Sequence, residues 1–114
     1  MLELTSVLTN LLLSTIIMTT PMTDVDTGWQ YIGDCRITTY CPACNEPYGY
    51  QSSSGKRLEY GDCACRWLPV GTEVNIEGDV FTVVDTCGTD AIDIFVDTDG
   101  CYCNLNEYKR VSIR

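Results

Sequence analysis

The sequence predicts an all-β domain, a small closed barrel rich in disulfides, and three observations lead there. Short β-branched stretches alternate polar with apolar residues, turn residues separate them at short intervals, and only Asn104–Tyr108 has the pattern of a helical turn. With 114 residues the chain makes one domain with a small core. Eight cysteines, an even number, suit a crosslinked scaffold from an oxidising compartment.

In order along the chain, residues 1–20 form an apolar leader, residues 21–30 a linker, and residues 31–114 the barrel domain, whose folded part starts near Trp29. The run Val7–Met18 is broken by Thr, Asn and Ser and is shorter than the roughly 18 to 20 residues of a membrane span. It reads as an atypical export signal, lacking basic residues at its start, or as an apolar docking helix. Cys35–Tyr40 alternates and is β-branched, so it is a strand, and the following stretch to Gly55 is a loop of turn residues. Thr72–Ile76 and Val80–Val84 make a hairpin around a Gly78-Asp79 turn. Ala91–Val96 is a strand with Ile92, Ile94 and Val96 on one face and Asp93 and Phe95 on the other; Arg110–Ile113 is a closing strand. Closure into a barrel removes exposed edges.

The net charge of −9, from 16 acidic and 7 basic residues, opposes binding to phosphate backbones and anionic lipid heads. Nucleic acid is therefore not an expected partner, and a weakly charged glycan meets no such penalty. The chain has no histidine, which removes Ser-His-Asp and Cys-His mechanisms and every His-ligated metal site. Proton transfer falls to Asp, Glu, Tyr, Cys or Lys. Two carboxylates stand out, Asp85 beside the turn at Gly88 and Asp93 between Ile92 and Ile94. Apolar neighbours desolvate a carboxyl group and raise its pKa toward the range that a general acid needs.

Several blocks together resemble a known family. Thr38-Thr-Tyr-Cys-Pro42, Ser53-Ser-Gly55, Leu68-Pro-Val-Gly-Thr72, Val74-Asn-Ile-Glu-Gly78, Val84-Asp-Thr-Cys-Gly88 and Ile92-Asp-Ile-Phe95 follow the order and rough spacing of the three-aspartate (3D) domain. That domain occurs in bacterial and phage cell-wall proteins and is related to the C-terminal domain of membrane-bound lytic transglycosylase A. The resemblance implies a six-stranded double-psi β-barrel that is secreted or cell-wall associated, in a bacterium or borne by a phage, and acts on the glycan strands of peptidoglycan. Three departures accompany it. The family's first aspartate falls on Cys65, with Asp62 the nearest acid; the loop between the second and third aspartates is only Thr86–Ile92; and Asp97–Asn104, with its Cys-x-Cys pair, replaces a helix.

Lytic transglycosylation needs one well-placed carboxyl group, which protonates the glycosidic oxygen and then takes a proton from the sugar's own hydroxyl. Paired-carboxylate glycosidases need two at a set separation. The resemblance makes Asp93 the acid/base and Asp85 its neighbour, which positions it or raises its pKa by like-charge repulsion. Thr72, Ser53, Ser54 and Tyr40 are the expected substrate contacts, and Tyr48, Tyr50 and Trp67 are candidates to stack on sugar rings. No cofactor is expected. The alternative is a barrel that binds the wall, or serves as a phage virion structural module, without catalysis. Cys35, Cys41, Cys44, Cys63, Cys65, Cys87, Cys101 and Cys103 are expected in disulfides, with Cys63 and Cys65 meeting Cys101 and Cys103. A zinc knuckle made of Cys41-x-x-Cys44 and Cys63-x-Cys65 is the weaker option, because the second pair lacks the usual ligand spacing, and no metal is expected.

Overall fold

The computed structural model describes residues 23–24, 28–98 and 103–114. The described residues form seven strands: β1 (Thr23–Asp24), β2 (Trp29–Tyr40), β3 (Asp62–Ala64), β4 (Glu73–Ile76), β5 (Asp79–Asp85), β6 (Ile92–Phe95) and β7 (Asn106–Ile113). The leader, half of the linker and Cys101 lie outside the described residues.

Six of these strands close into a mixed barrel in the order β2-β6-β3-β5-β4-β7, with β7 pairing back onto β2. The long strand β2 makes closure possible. It runs antiparallel to β7 from Gln30↔Ile113 to Thr38↔Asn106 and parallel to β6 from Ile37↔Ile92 to Tyr40↔Phe95. A register shift between Tyr31 and Gly33 bends it, and Gly33 takes a φ of 109° there, which a residue with a Cβ rarely adopts. A second parallel pair joins β3 to β5, so the β2–β6 and β3–β5 pairings are parallel and the rest of the barrel is antiparallel. The closed, six-stranded all-β barrel agrees with the fold class expected from the sequence.

Strand alternation divides the apolar residues between two faces. Ile37, Cys63, Val74, Ile76, Phe81, Val83, Ile92, Ile94 and Val111, drawn from every barrel strand, fill the interior together with Cys65. Tyr40, Ala64, Val84 and Phe95 occupy the other face of β2, β6, β3 and β5, where Leu58 packs on them and Tyr50 joins from the loop after β2. That loop thus covers a second, smaller core. Tyr40 and Tyr50 both meet the Phe95 ring edge-on, at 5.4 and 5.9 Å between centroids.

Three expectations are corrected. The β4–β5 hairpin turns at Glu77-Gly78, one residue earlier than expected, because Ile76 pairs with Asp79 and both turn residues have positive φ, 54° and 100°. Asn106–Tyr108, within the stretch assigned a helical turn, belongs instead to β7, where pairing with β2 satisfies its backbone better than an isolated turn. Among the described residues none of the expected disulfides is formed, since no two of those cysteines are joined, and the expected pairing through Cys101 lies outside the described residues. Alternation explains this: Cys63 and Cys65 point into the barrel interior with Cys35 packed against them, whereas Cys103 lies beside Cys41 and Cys44. Burial pushes the Cys63 thiol up to about 12, helped by the nearby Cys65, and keeps it protonated as a small core side chain.

Packing in the two cores stabilises the barrel. Phe95→Ala, at a position with no exposure and a place in the second core, should lower the unfolding free energy by about 3–5 kcal/mol in urea titrations. Tyr108→Ala, at a strongly exposed β7 position, should change it by less than about 0.5 kcal/mol.

Candidate functional site

The two carboxylates singled out in the sequence are brought to one row of the barrel. Thr38 on β2 pairs with Asp93 on β6, Asp93 pairs with Ala64 on β3, and Ala64 pairs with Asp85 on β5. Ala64 is the small residue between them, buried in the second core. The register shift between Cys63 and Ala64 is what aims Asp85. Val84 already faces the second core, yet Asp85 reaches Tyr40 and the covering loop on the same side.

Asp85 is buried and held by three donors. The Tyr40 hydroxyl donates to Oδ2 at 3.1 Å, and the backbone N–H groups of Ser53 and Thr86 donate to Oδ1 at 2.8 and 2.9 Å. Such a carboxylate is fixed in place. Asp93 is half-buried and accepts a bond of 2.8 Å from the Thr38 hydroxyl. Burial pushes its pKa above the ordinary carboxylate value; the Thr38 bond opposes this, the negative Asp85 adds to it, and Arg36 opposes it. Burial also drives the Tyr40 hydroxyl well above its usual range, with Asp85 and Asp93 adding to the effect, so Tyr40 stays a donor.

The expected substrate contacts divide. Ser53 and Asp85 line a groove of about 420 Å³ with Asn45, Tyr48, Gln51, Ser52 and Thr86. Tyr40 is buried and supports Asp85 from below, and Ser54 bonds to Ser52 at 3.0 Å at the edge of the same loop. Thr72 is not part of this group: its N–H donates to Pro69 and its carbonyl accepts from Val83, before β4. Among the ring candidates, Tyr48 is exposed in the groove, Tyr50 donates to Asp97 at 2.7 Å, and Trp67 donates to the Asp90 carbonyl at 2.8 Å. Asp93 is not among the residues lining the groove beside Asp85. A second cleft of about 460 Å³ is lined by Arg36, Arg66, Trp67, Asp90 and Tyr108, and Asp93 is not among its lining residues either.

Asp62, the acid nearest Cys65, is not free to take the role of the aspartate that the resemblance expects at Cys65. It is buried, but Lys56 Nζ at 2.8 Å and the Glu59 N–H at 2.9 Å claim its carboxylate. Thr38, Ala64 and Arg36 were missed in the sequence. Thr38 carries a signal, since it sits two residues from Tyr40 on a strand and so shares its face.

Three of the cysteines outside the interior form a cluster. The thiol sulfurs of Cys41, Cys44 and Cys103 all lie within 4.8 Å of one another, and Cys41 and Cys44 are 3.6 Å apart. Burial raises the Cys41 pKa, but the Cys44 N–H, the Cys103 and Cys44 thiols and the Ala43 N–H outweigh it and bring it down to about 7. Cys87 stands apart, its thiol near the carbonyls of Thr89 and Ala91, each at 3.5 Å.

No family model, no curated protein and no solved structure matches the chain.

The raised Asp93 pKa has a stability consequence. Between the unfolded value of about 3.9 and its folded value, the native state holds the Asp93 proton more tightly than the unfolded chain, so stability falls as pH rises through that window. Asp93→Asn has no proton to lose. Melting temperatures of the two proteins should run in parallel below pH about 3 and then separate in favour of the variant above it; a separation in favour of the wild type would contradict the assignment.

Proposed function

We propose that the chain is a 3D-type double-psi barrel that cleaves peptidoglycan glycan strands by lytic transglycosylation, as a secreted, wall-associated or phage-borne protein. The observation that carries the reading is the row Thr38–Asp93–Ala64–Asp85, which sets one half-buried carboxyl group beside a second that is firmly held. Asp93 is the acid/base. Its raised pKa keeps a proton available for the glycosidic oxygen, and once ionised it takes a proton from the sugar hydroxyl that attacks the anomeric carbon. The oxygen–carbon bond to the departing sugar breaks as the intramolecular bond forms, so no water is consumed. Asp85, fixed by Tyr40, Ser53 and Thr86, positions the site and disfavours a negative Asp93. The groove with Ser53, Gln51 and Tyr48 offers polar groups and one aromatic face to a saccharide. A net charge of −9 suits a glycan better than a nucleic acid.

A second reading, a wall-binding or virion structural barrel without turnover, draws on two observations. The position of the family's first aspartate is a cysteine packed in the interior, and Asp93 is not among the lining residues of the groove beside Asp85.

Incubation of the purified protein with peptidoglycan, followed by mass spectrometry of the soluble fraction, separates the two. Anhydro-muropeptides should appear with the wild type and fall by about 10²- to 10⁴-fold with Asp93→Asn. Products that persist in Asp93→Asn would remove Asp93 from its role, and sedimentation with insoluble peptidoglycan without any product would favour the binding module.

A further inference from the structure

Cys41, Cys44 and Cys103 belong to different parts of the chain. Cys41 directly follows β2, Cys44 lies in the covering loop, and Cys103 lies in the segment between β6 and β7, yet their sulfurs converge to within 4.8 Å. Two features of this convergence point to a ligand. A zinc ion with tetrahedral thiolates at about 2.3 Å places neighbouring sulfurs about 3.8 Å apart, close to the 3.6 Å between Cys41 and Cys44 and well beyond the roughly 2.05 Å of a disulfide. Cys41 and Cys44 are also held close by a turn that the Asn45 N–H closes on the Cys41 carbonyl at 3.0 Å, which brings both thiols to one side before any ion binds. Cys-x-x-Cys is itself a common zinc-ligand spacing.

We propose that Cys41, Cys44 and Cys103 form a three-thiolate site for a soft divalent cation, zinc, leaving one coordination position for a fourth donor. Thiolate donors select zinc over magnesium or calcium, which take oxygen ligands. Where spacing suggested Cys63-x-Cys65 as the partner of Cys41-x-x-Cys44, the structure places Cys103, because Cys63 and Cys65 face the barrel interior. The metal would join the covering loop to the segment after β6. That loop carries Ser53, whose N–H holds Asp85, so the cation would brace the row of carboxylates from outside while touching neither of them. The site does not depend on the glycan-cleaving reading.

The test uses the full chain, reduced and stripped of metal, titrated with Zn²⁺ against a chromophoric chelator and with Co²⁺ as a spectroscopic probe. One equivalent should bind per chain, and Co²⁺ should show intense thiolate-to-metal charge transfer. Cys41→Ser, Cys44→Ser and Cys103→Ser should each weaken Zn²⁺ binding by at least about 100-fold, the upper end of what losing an outer-shell partner costs. Cys87→Ser and Cys35→Ser should leave it unchanged. Cys44 is exposed, so its variant reports on ligation without disturbing the core. Failure of the folded, reduced protein to take up Zn²⁺, or unchanged affinity in both Cys44→Ser and Cys103→Ser, would overturn the proposal.

Discussion

The parallel pairing of β2 with β6 is the constraint from which the rest follows, because it sets Thr38 opposite Asp93 and Tyr40 opposite Phe95 in one stroke. The first match places a hydroxyl donor on a half-buried carboxyl group. The second builds the small outer core on which the covering loop rests, and it carries the Tyr40 hydroxyl to Asp85. The long connection from the end of β2 to β3, residues 41–61, folds over this core. In this chain that connection is put to use, since Leu58 fills the outer core and Ser53 closes over Asp85.

Burial and charge then act together on Asp93. The apolar neighbours Ile92 and Ile94 point into the barrel, so Asp93 faces the other side, but packing there is close enough to desolvate it. Asp85 acts in the same direction through its charge, while Thr38 and Arg36 act against it. Arg36 is partly diverted to Asp90 at 3.7 Å and to Asn106 at 3.5 Å, which limits how far it can neutralise Asp93. The balance is a carboxyl group biased toward its protonated form.

Much of this was legible in the chain itself. Alternation in Cys35–Tyr40, Thr72–Ile76 and Val80–Val84 is a local signal, and it located the strands. The two aspartates were visible because their apolar and turn-forming neighbours are adjacent in sequence. Thr38, Ala64 and Arg36 were not, since their part in the site comes from inter-strand register, which single-strand patterns do not encode. The cysteines were misread for a related reason. Spacing alone cannot tell that Cys63 on β3 and Cys65 just after it turn inward while Cys103 meets the Cys-x-x-Cys turn. The one-residue error at the β4–β5 turn arose because Gly78 marks the second turn position, not the first.

The central claim is that the barrel holds Asp93 in a setting that favours its proton, with Asp85 as one cause. Carbon-13 NMR of the aspartate carboxyl groups, followed through a pH titration of the wild type and of Asp85→Asn, measures this directly. The account predicts that Asp93 titrates above the ordinary aspartate value of about 3.9 and moves back toward it when Asp85 is neutralised. An Asp93 resonance that titrates at or below that value, unmoved by the substitution, would contradict it.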